Sequence, residues 1–115
     1  MVRHEIKKSL ITRQAENETL FLTQFREGNY TAKNPLVVLN PYEISPLTAM
    51  ILFKTSVKQE VTVVVKGKTP EGDVRHTFPR ATEHILPIYG LYADYENTVE
   101  LILSGGERET VKIQT

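Results

Sequence analysis

Asn40-Pro41-Tyr42-Glu43-Ile44-Ser45-Pro46-Leu47-Thr48-Ala49 separates two kinds of sequence. Its prolines fix φ near −65° at both ends and bias Asn40 and Ser45, the residues before them, toward extended backbone. The stretch therefore reads as a rigid corner. Most of the chain upstream of it looks helical or irregular; downstream the apolar spacing is that of strands.

Working back from the corner, Pro35-Leu36-Val37-Val38-Leu39 is a short apolar strand. Before it, the segment Val2 to Glu27 lacks proline, and Ile6, Leu10, Phe21 and Phe25 recur at helical intervals, with Leu20 and Leu22 widening the stripe. The spacing predicts helix on each side of a weak point at Ala15-Glu16-Asn17. Gly28-Asn29 should stop it, since both residues tolerate the left-handed conformation that commonly ends helices. Two uses compete for its apolar face: packing on the chain's own sheet, or a surface for a partner. Its acidic and basic residues are mixed, unlike a membrane-surface helix.

Working forward, Leu47 to Lys54 places Leu47, Ala49, Ile51 and Phe53 on one face. Val61, Val63 and Val65 alternate with Thr62, Val64 and Lys66, the period of a half-buried strand. Gly67 to Asp73 is dense in turn residues, and Val74 to Phe78 returns from it, making a hairpin. His84 to Tyr89 is a further strand, and Pro87 consigns it to a sheet edge or a bulge. A tyrosine-bearing connection, Gly90 to Asn97, leads into Thr98 to Ser104.

The final hairpin permits a register argument. Val99, Leu101 and Leu103 must share the core face with Val111 and Ile113. A two-residue Gly105-Gly106 loop would set Leu101 against Thr110 and Val99 against Lys112, burying polar groups. A three- or five-residue loop restores Val99 opposite Val111 or Ile113, so an odd-length turn with a glycine bulge is expected. Seven short strands without a crossover helix predict a mainly β chain, an immunoglobulin-like antiparallel β-sandwich with an N-terminal helical segment. The division expected is residues 1–33 for the helical segment and linker and residues 34–115 for the sandwich.

Whole-chain properties bound the function. At 115 residues the chain is one domain that buries roughly two-thirds of its unfolded surface. With 40% apolar and 24% charged residues it lies in the globular range. Fourteen basic and fourteen acidic residues cancel without charge blocks, which removes the electrostatic warrant for nucleic-acid binding. The absence of cysteine removes disulfides, thiolate metal sites and cysteine nucleophiles. No apolar run reaches the ~18 residues of a membrane span, so no membrane contact is expected of this segment, and the charged start precedes no signal-peptide core.

Catalytic patterns are weak. Gly67-Lys68-Thr69 resembles the end of a phosphate loop, but Thr62 stands where the first glycine belongs, and Pro70-Glu71-Gly72 follows where a helix should start. His4, His76 and His84 lack the paired spacing of zinc ligands and read as ordinary, partly exposed residues. Ser45, His84 and Asp94 spell a triad only on paper, because Ser45 precedes a proline rather than sitting on a glycine-flanked elbow. Glu71 and Asp73 lie on a solvated loop where nothing raises a carboxyl pKa. The expectation is no catalytic, cofactor or metal residue.

The ordered motifs Gly28-Asn29-Tyr30-Thr31, Asn40-Pro41-Tyr42, Ser45-Pro46-Leu47-Thr48-Ala49, Lys66-Gly67-Lys68, Pro87-Ile88-Tyr89-Gly90-Leu91-Tyr92 and Asn97-Thr98-Val99 carry a resemblance. Together they resemble the N-terminal domain of bacterial aryl-sulfate sulfotransferases, from about Phe21 to the last residue. The structural motif residues so implied are Asn40, Pro41, Tyr42, Pro46, Leu47, Thr48, Gly90, Leu91 and Tyr92. Family members often carry glycine at the position of Glu43. The resemblance implies a parent that moves a sulfuryl group from phenolic sulfate esters to phenols, with its chemistry in a following β-propeller. It also implies a non-catalytic role in scaffolding, propeller packing and homodimer formation, and a periplasmic or cell-surface location. The rival reading is an independent glycan- or protein-binding module, which would gather Tyr42, Tyr92 and Tyr95 on one patch. A small hydrolase would instead need a concave pocket with perturbed histidine or carboxylate groups.

Overall fold

The computed structural model describes residues 10–43 and 47–115. Its elements run α1 (Leu10–Glu27), β1 (Leu36–Leu39), β2 (Ala49–Val65), β3 (Val74–Ile88), β4 (Glu96–Leu103) and β5 (Arg108–Gln114). All strand pairs are antiparallel. The seven expected strand segments are all present, but four of them are halves of two continuous strands, so five strands form among the described residues. Leu47–Lys54 and Val61–Lys66 fall within or beside β2, and Val74–Phe78 and His84–Tyr89 within or beside β3.

The long β2–β3 hairpin is the spine. One side of β2 pairs throughout with β3; the other pairs first with β1, through Leu36 opposite Leu52, and then with β4, through Val65 opposite Val99. β2 takes seven steps from Lys54 to Val61 where β3 takes five from Phe78 to Glu83. The surplus residues bend the strand. Because the surplus is even, inward residues still oppose inward residues: Phe53 faces His84 above the bend, and Val61 faces Phe78 below it. The sheet thus curls over a single core in which Ile51, Phe53 and Leu86 of one half meet Val63, Leu101 and Ile113 of the other. Full burial of each such side chain contributes about 1.5–3 kcal/mol.

The bend is held from β4. Ser104 N–H donates to the Glu60 carbonyl at 2.9 Å, Glu60 N–H donates to Ser104 Oγ at 3.0 Å, and Gly105 N–H donates to Gln59 Oε1 at 2.9 Å. Continuous strands across this point need those partners, which lie over 40 residues away and leave no local pattern.

The last hairpin has the register that core matching requires. Val99 lies opposite Val111 and Leu101 opposite Glu109, and Leu103 N–H donates to the Glu107 carbonyl at 2.9 Å around a three-residue Ser104-Gly105-Gly106 loop. Gly106 takes φ 109°, a conformation costly for any residue with a Cβ. Pro87 sits inside β3 opposite Met50, and among the described residues β3 pairs with β2 alone, so the proline occupies an edge strand as expected.

Helix α1 is continuous through Ala15-Glu16-Asn17, correcting the expected weak point. Its upstream part, Val2 to Ser9, lies outside the described residues. Phe21 and Phe25, one helical turn apart, pack on Met50 and Leu52, which face away from the main core. The first half of β2 is therefore covered on both faces, which explains its unbroken apolar run from Ala49 to Phe53. The helix ends without a left-handed glycine. Gly28 N–H donates to the Gln24 carbonyl at 3.1 Å, Lys54 Nζ donates to the Arg26 carbonyl at 3.0 Å, and the Tyr30 ring folds so close that a Cβ on Gly28 would lie 2.4 Å from it.

Candidate functional site

The motif residues converge on one end of the sheet. Asn40 N–H donates to the Thr48 carbonyl at 2.9 Å, closing the loop between β1 and β2, and the Asn40 carbonyl accepts from Glu43 N–H at 3.1 Å. Asn40 is not extended as expected before proline. It takes φ 45°, held by those two bonds in a conformation that asparagine tolerates better than most residues. Ser45 and Pro46 lie outside the described residues. Glu43 takes φ 59°, the left-handed conformation that glycine adopts at no cost. Its carboxylate accepts from Asn17 Nδ2 at 2.9 Å and Arg13 Nε at 3.4 Å, tying the corner to α1.

Pro41 is buried, and Tyr42 packs edge-on against Phe21 with ring centroids 6.2 Å apart, while its carbonyl accepts from Gln14 Nε2 at 2.8 Å. Burial, and then the Glu18 carboxylate, push the Tyr42 hydroxyl pKa above its ordinary value. The two distant parts of the motif meet where Leu91 N–H donates to the Leu47 carbonyl at 3.4 Å, with Leu91 buried and Leu47 packed beside it on the core. Gly90, at φ 82°, turns the chain out of β3 into this contact.

Asn97, fully buried, organises the tyrosine connection. Its Oδ1 accepts from Tyr92 N–H at 2.8 Å, and its Nδ2 donates to the carbonyls of Tyr95 at 3.0 Å, Tyr92 at 3.1 Å and Ile113 at 3.3 Å. Thr115 joins the cluster through its hydroxyl, donating to the Tyr92 carbonyl, and its N–H, donating to the Tyr95 carbonyl at 3.1 Å. Tyr92 and Tyr95 meet edge to face at 5.5 Å, and Lys68 Nζ lies 4.8 Å and 5.0 Å from their ring centres. The hairpin tip carrying Lys68 is shaped by Asp73, whose Oδ1 accepts from Gly67 N–H at 2.8 Å and whose Oδ2 pairs with Lys66 Nζ at 3.1 Å. The Gly67 N–H, then Lys66, hold the Asp73 carboxyl below its ordinary pKa, the opposite of what an acid catalyst needs.

His84 corrects the expectation of a partly exposed histidine: it is 2% exposed, stacked on Phe53 at 4.8 Å. The Thr55 hydroxyl donates to the Val57 carbonyl at 2.8 Å, so at 3.0 Å it can only accept from His84, which places the proton of the neutral ring on Nε2. Burial lowers the His84 pKa below its ordinary value. The ring thus supports the bend of β2. His76 and His84 stand eight positions apart on β3 rather than on adjacent strands, with His76 edge-on to Phe78 at 4.6 Å. His4 lies outside the described residues.

Tyr42 is engaged with α1, and Tyr92 and Tyr95 are engaged with each other and with Lys68. A hollow of about 260 Å³ opens beside β3, where apolar residues such as Val63, Val65, Val74 and Tyr89 are joined by Arg75 and His76. His84, the histidine with the shifted pKa, is not among its lining residues. Asn97, His84 and Glu43 escaped sequence reasoning as site residues. Only Asn97 and the glycine usage at Glu43 left a signal, through the family pattern.

A mainly β antiparallel sheet curled on its own core, with a helical arm and a tied-down corner, is the class of domain defined here. Residues 36–115 match the arylsulfotransferase Ig-like domain, and the chain belongs to that family. It is also 35% identical over 68 residues to the arylsulfate sulfotransferase of Escherichia coli O6:H1 strain CFT073. That match covers 55% of this chain and 11% of the relative, so the chain corresponds to a small part of the relative's length. No solved structure matches the chain.

Proposed function

We propose that this chain is a non-catalytic scaffold: the N-terminal sandwich of a longer aryl-sulfate sulfotransferase, packing beside a catalytic β-propeller and contributing to a homodimer. In this reading residues 1–33 are the helical segment and linker and residues 34–115 the sandwich. Asn40, Pro41, Tyr42, Pro46, Leu47, Thr48, Gly90, Leu91 and Tyr92 are structural motif residues. The observation that carries it is the use to which the polar side chains in unusual environments are put. Asn97 holds the backbone of Tyr92 and Tyr95, Asp73 the hairpin tip, and His84 the bend of β2. These three groups, of kinds that enzymes recruit for catalysis, are engaged in shaping the fold. The match of residues 36–115 to the family's Ig-like domain supports the same reading.

The test is sulfuryl transfer from a phenolic sulfate ester to phenol, measured with this chain alone and with the parent. No turnover is expected from the chain and turnover from the parent; turnover by the chain alone refutes the scaffold reading. Sedimentation of the chain against a version beginning at Gly28 tests the dimer role. Monomers in both cases remove that role from this segment.

A further inference from the structure

We infer that the hollow beside β3 is the seat for an apolar segment of the catalytic domain that follows Thr115 in the parent. The inference rests on the scaffold reading and names the surface through which it operates.

Strand register shows what the hollow is. Val74, His76 and Phe78 lie opposite Val65, Val63 and Val61, and so carry the core face. Yet Val65, Val63 and Val61 are at most 4% exposed while Val74 is 52% exposed. The core face therefore continues along the first half of β3 beyond anything that covers it among the described residues. Across the hollow Ile88 is buried, but the neighbouring Tyr89 ring is 64% exposed. Each of these apolar groups gains on the order of 1 kcal/mol or more from a partner that removes it from water. The β3 edge is also open, since β3 pairs with β2 alone among the described residues. Arg75, Pro79, Arg80 and Pro87 guard that edge against strand addition, so what is left to cover is the apolar face that Val74 carries.

Position selects the occupant. A Cβ on Gly90 would lie 3.9 Å from Val74 Cγ2, and Gly90 is followed by Leu91 and Tyr92. The Tyr92 carbonyl accepts from the Thr115 hydroxyl, and the Tyr95 carbonyl from Thr115 N–H. Residue 115 and the hollow therefore share one end of the fold. Polypeptide leaving Thr115 advances about 3.3 Å per residue when extended and reaches the hollow in a short length. A tethered segment acts at an effective concentration of about millimolar, far above that of a free second copy in dilute solution.

Hydrogen–deuterium exchange of this chain and of the parent tests the inference. Residues 74–78 and 86–89 should gain at least tenfold protection in the parent, while β5 is unchanged. Val74→Glu and Tyr89→Glu, both at exposed positions, should leave the melting temperature of this chain within about 2 °C, yet abolish the added protection in the parent. Protection that falls instead on the Ile11 and Leu20 side of α1 overturns the inference and leaves the scaffold reading standing. Protection of the hollow in this chain alone that grows with protein concentration means that a second copy is the occupant, which also overturns it. The absence of any newly protected surface in the parent overturns both.

Discussion

Replacing Asn97 tests how the motif end is held. Asn97→Ala removes the acceptor of Tyr92 N–H, for which Oδ1 at 2.8 Å is the partner. The Tyr92 and Tyr95 carbonyls each retain a bond from Thr115, so the main loss is one buried N–H without an acceptor and the space the amide filled. An unsatisfied buried donor costs about 1–3 kcal/mol, and the total for Asn97→Ala is about 2–3 kcal/mol. For a chain of this length that is a fall in melting temperature of about 10 °C. Asn97→Asp is nearly isosteric and keeps the acceptor, but turns an oxygen toward three carbonyl oxygens and buries a charge. At pH 7.5 it should lose more than Asn97→Ala, by several kcal/mol. Its carboxyl pKa should be raised in the folded state, so the deficit is absent below the unfolded value of about 3.9 and grows as pH rises toward the folded value. The chain has no tryptophan, so urea melts are followed by circular dichroism. An Asn97→Asp variant as stable as the parent sequence at pH 7.5 would refute the reasoning.

His84 makes stability pH-dependent. Its pKa is lowered by burial from an ordinary 6.5, so the unfolded chain takes up a proton that the folded chain resists. Stability should be full above about pH 6.5 and decline as pH falls below it; His84→Phe should flatten urea midpoints between pH 7.5 and 5.5. At Glu43, Gly should be more stable than Ala by about 1 kcal/mol, because both lose the α1 tether but only Ala strains at φ 59°. Equal thermal midpoints for the two variants would discount the left-handed backbone. Phe25→Ala empties a site with 0% exposure under the helix, beside Lys54 Nζ at 5.3 Å, and should cost about 3–4 kcal/mol in a denaturant titration. A loss below 1 kcal/mol would show that α1 does not depend on this anchor.

The periodicities legible in the sequence were those that a strand or helix needs in order to bury one face. Val61, Val63 and Val65 announced their strand, Phe21 and Phe25 their helix, and core matching narrowed the last hairpin to Val99 opposite Val111 or Ile113, of which the fold takes the first. What stayed hidden depended on partners distant along the chain. The bend joining the halves of β2 is held from Ser104 and Gly105, which bond Glu60 and Gln59, and no local pattern distinguishes that arrangement from a break between two strands. The continuity of α1 through Ala15-Glu16-Asn17 likewise draws on the corner, since Asn17 bonds Glu43 and Gln14 bonds the Tyr42 carbonyl. Polar residues were the least legible. Asparagine, histidine and glutamate suit the surface as well as the core, and only the surrounding donors and acceptors decide which.

By itself, then, the sequence determined the mainly β class, a helix ahead of the strands and, through motif order, the family, because each follows from patterns over short spans of chain. Tertiary structure alone decided that seven segments become five strands, that His84 and Asn97 are buried supports, and that the core face of β3 is left open beside Tyr89. These outcomes depend on which distant groups satisfy a buried hydrogen bond or cover an apolar face, and such pairings exist only once the chain has folded.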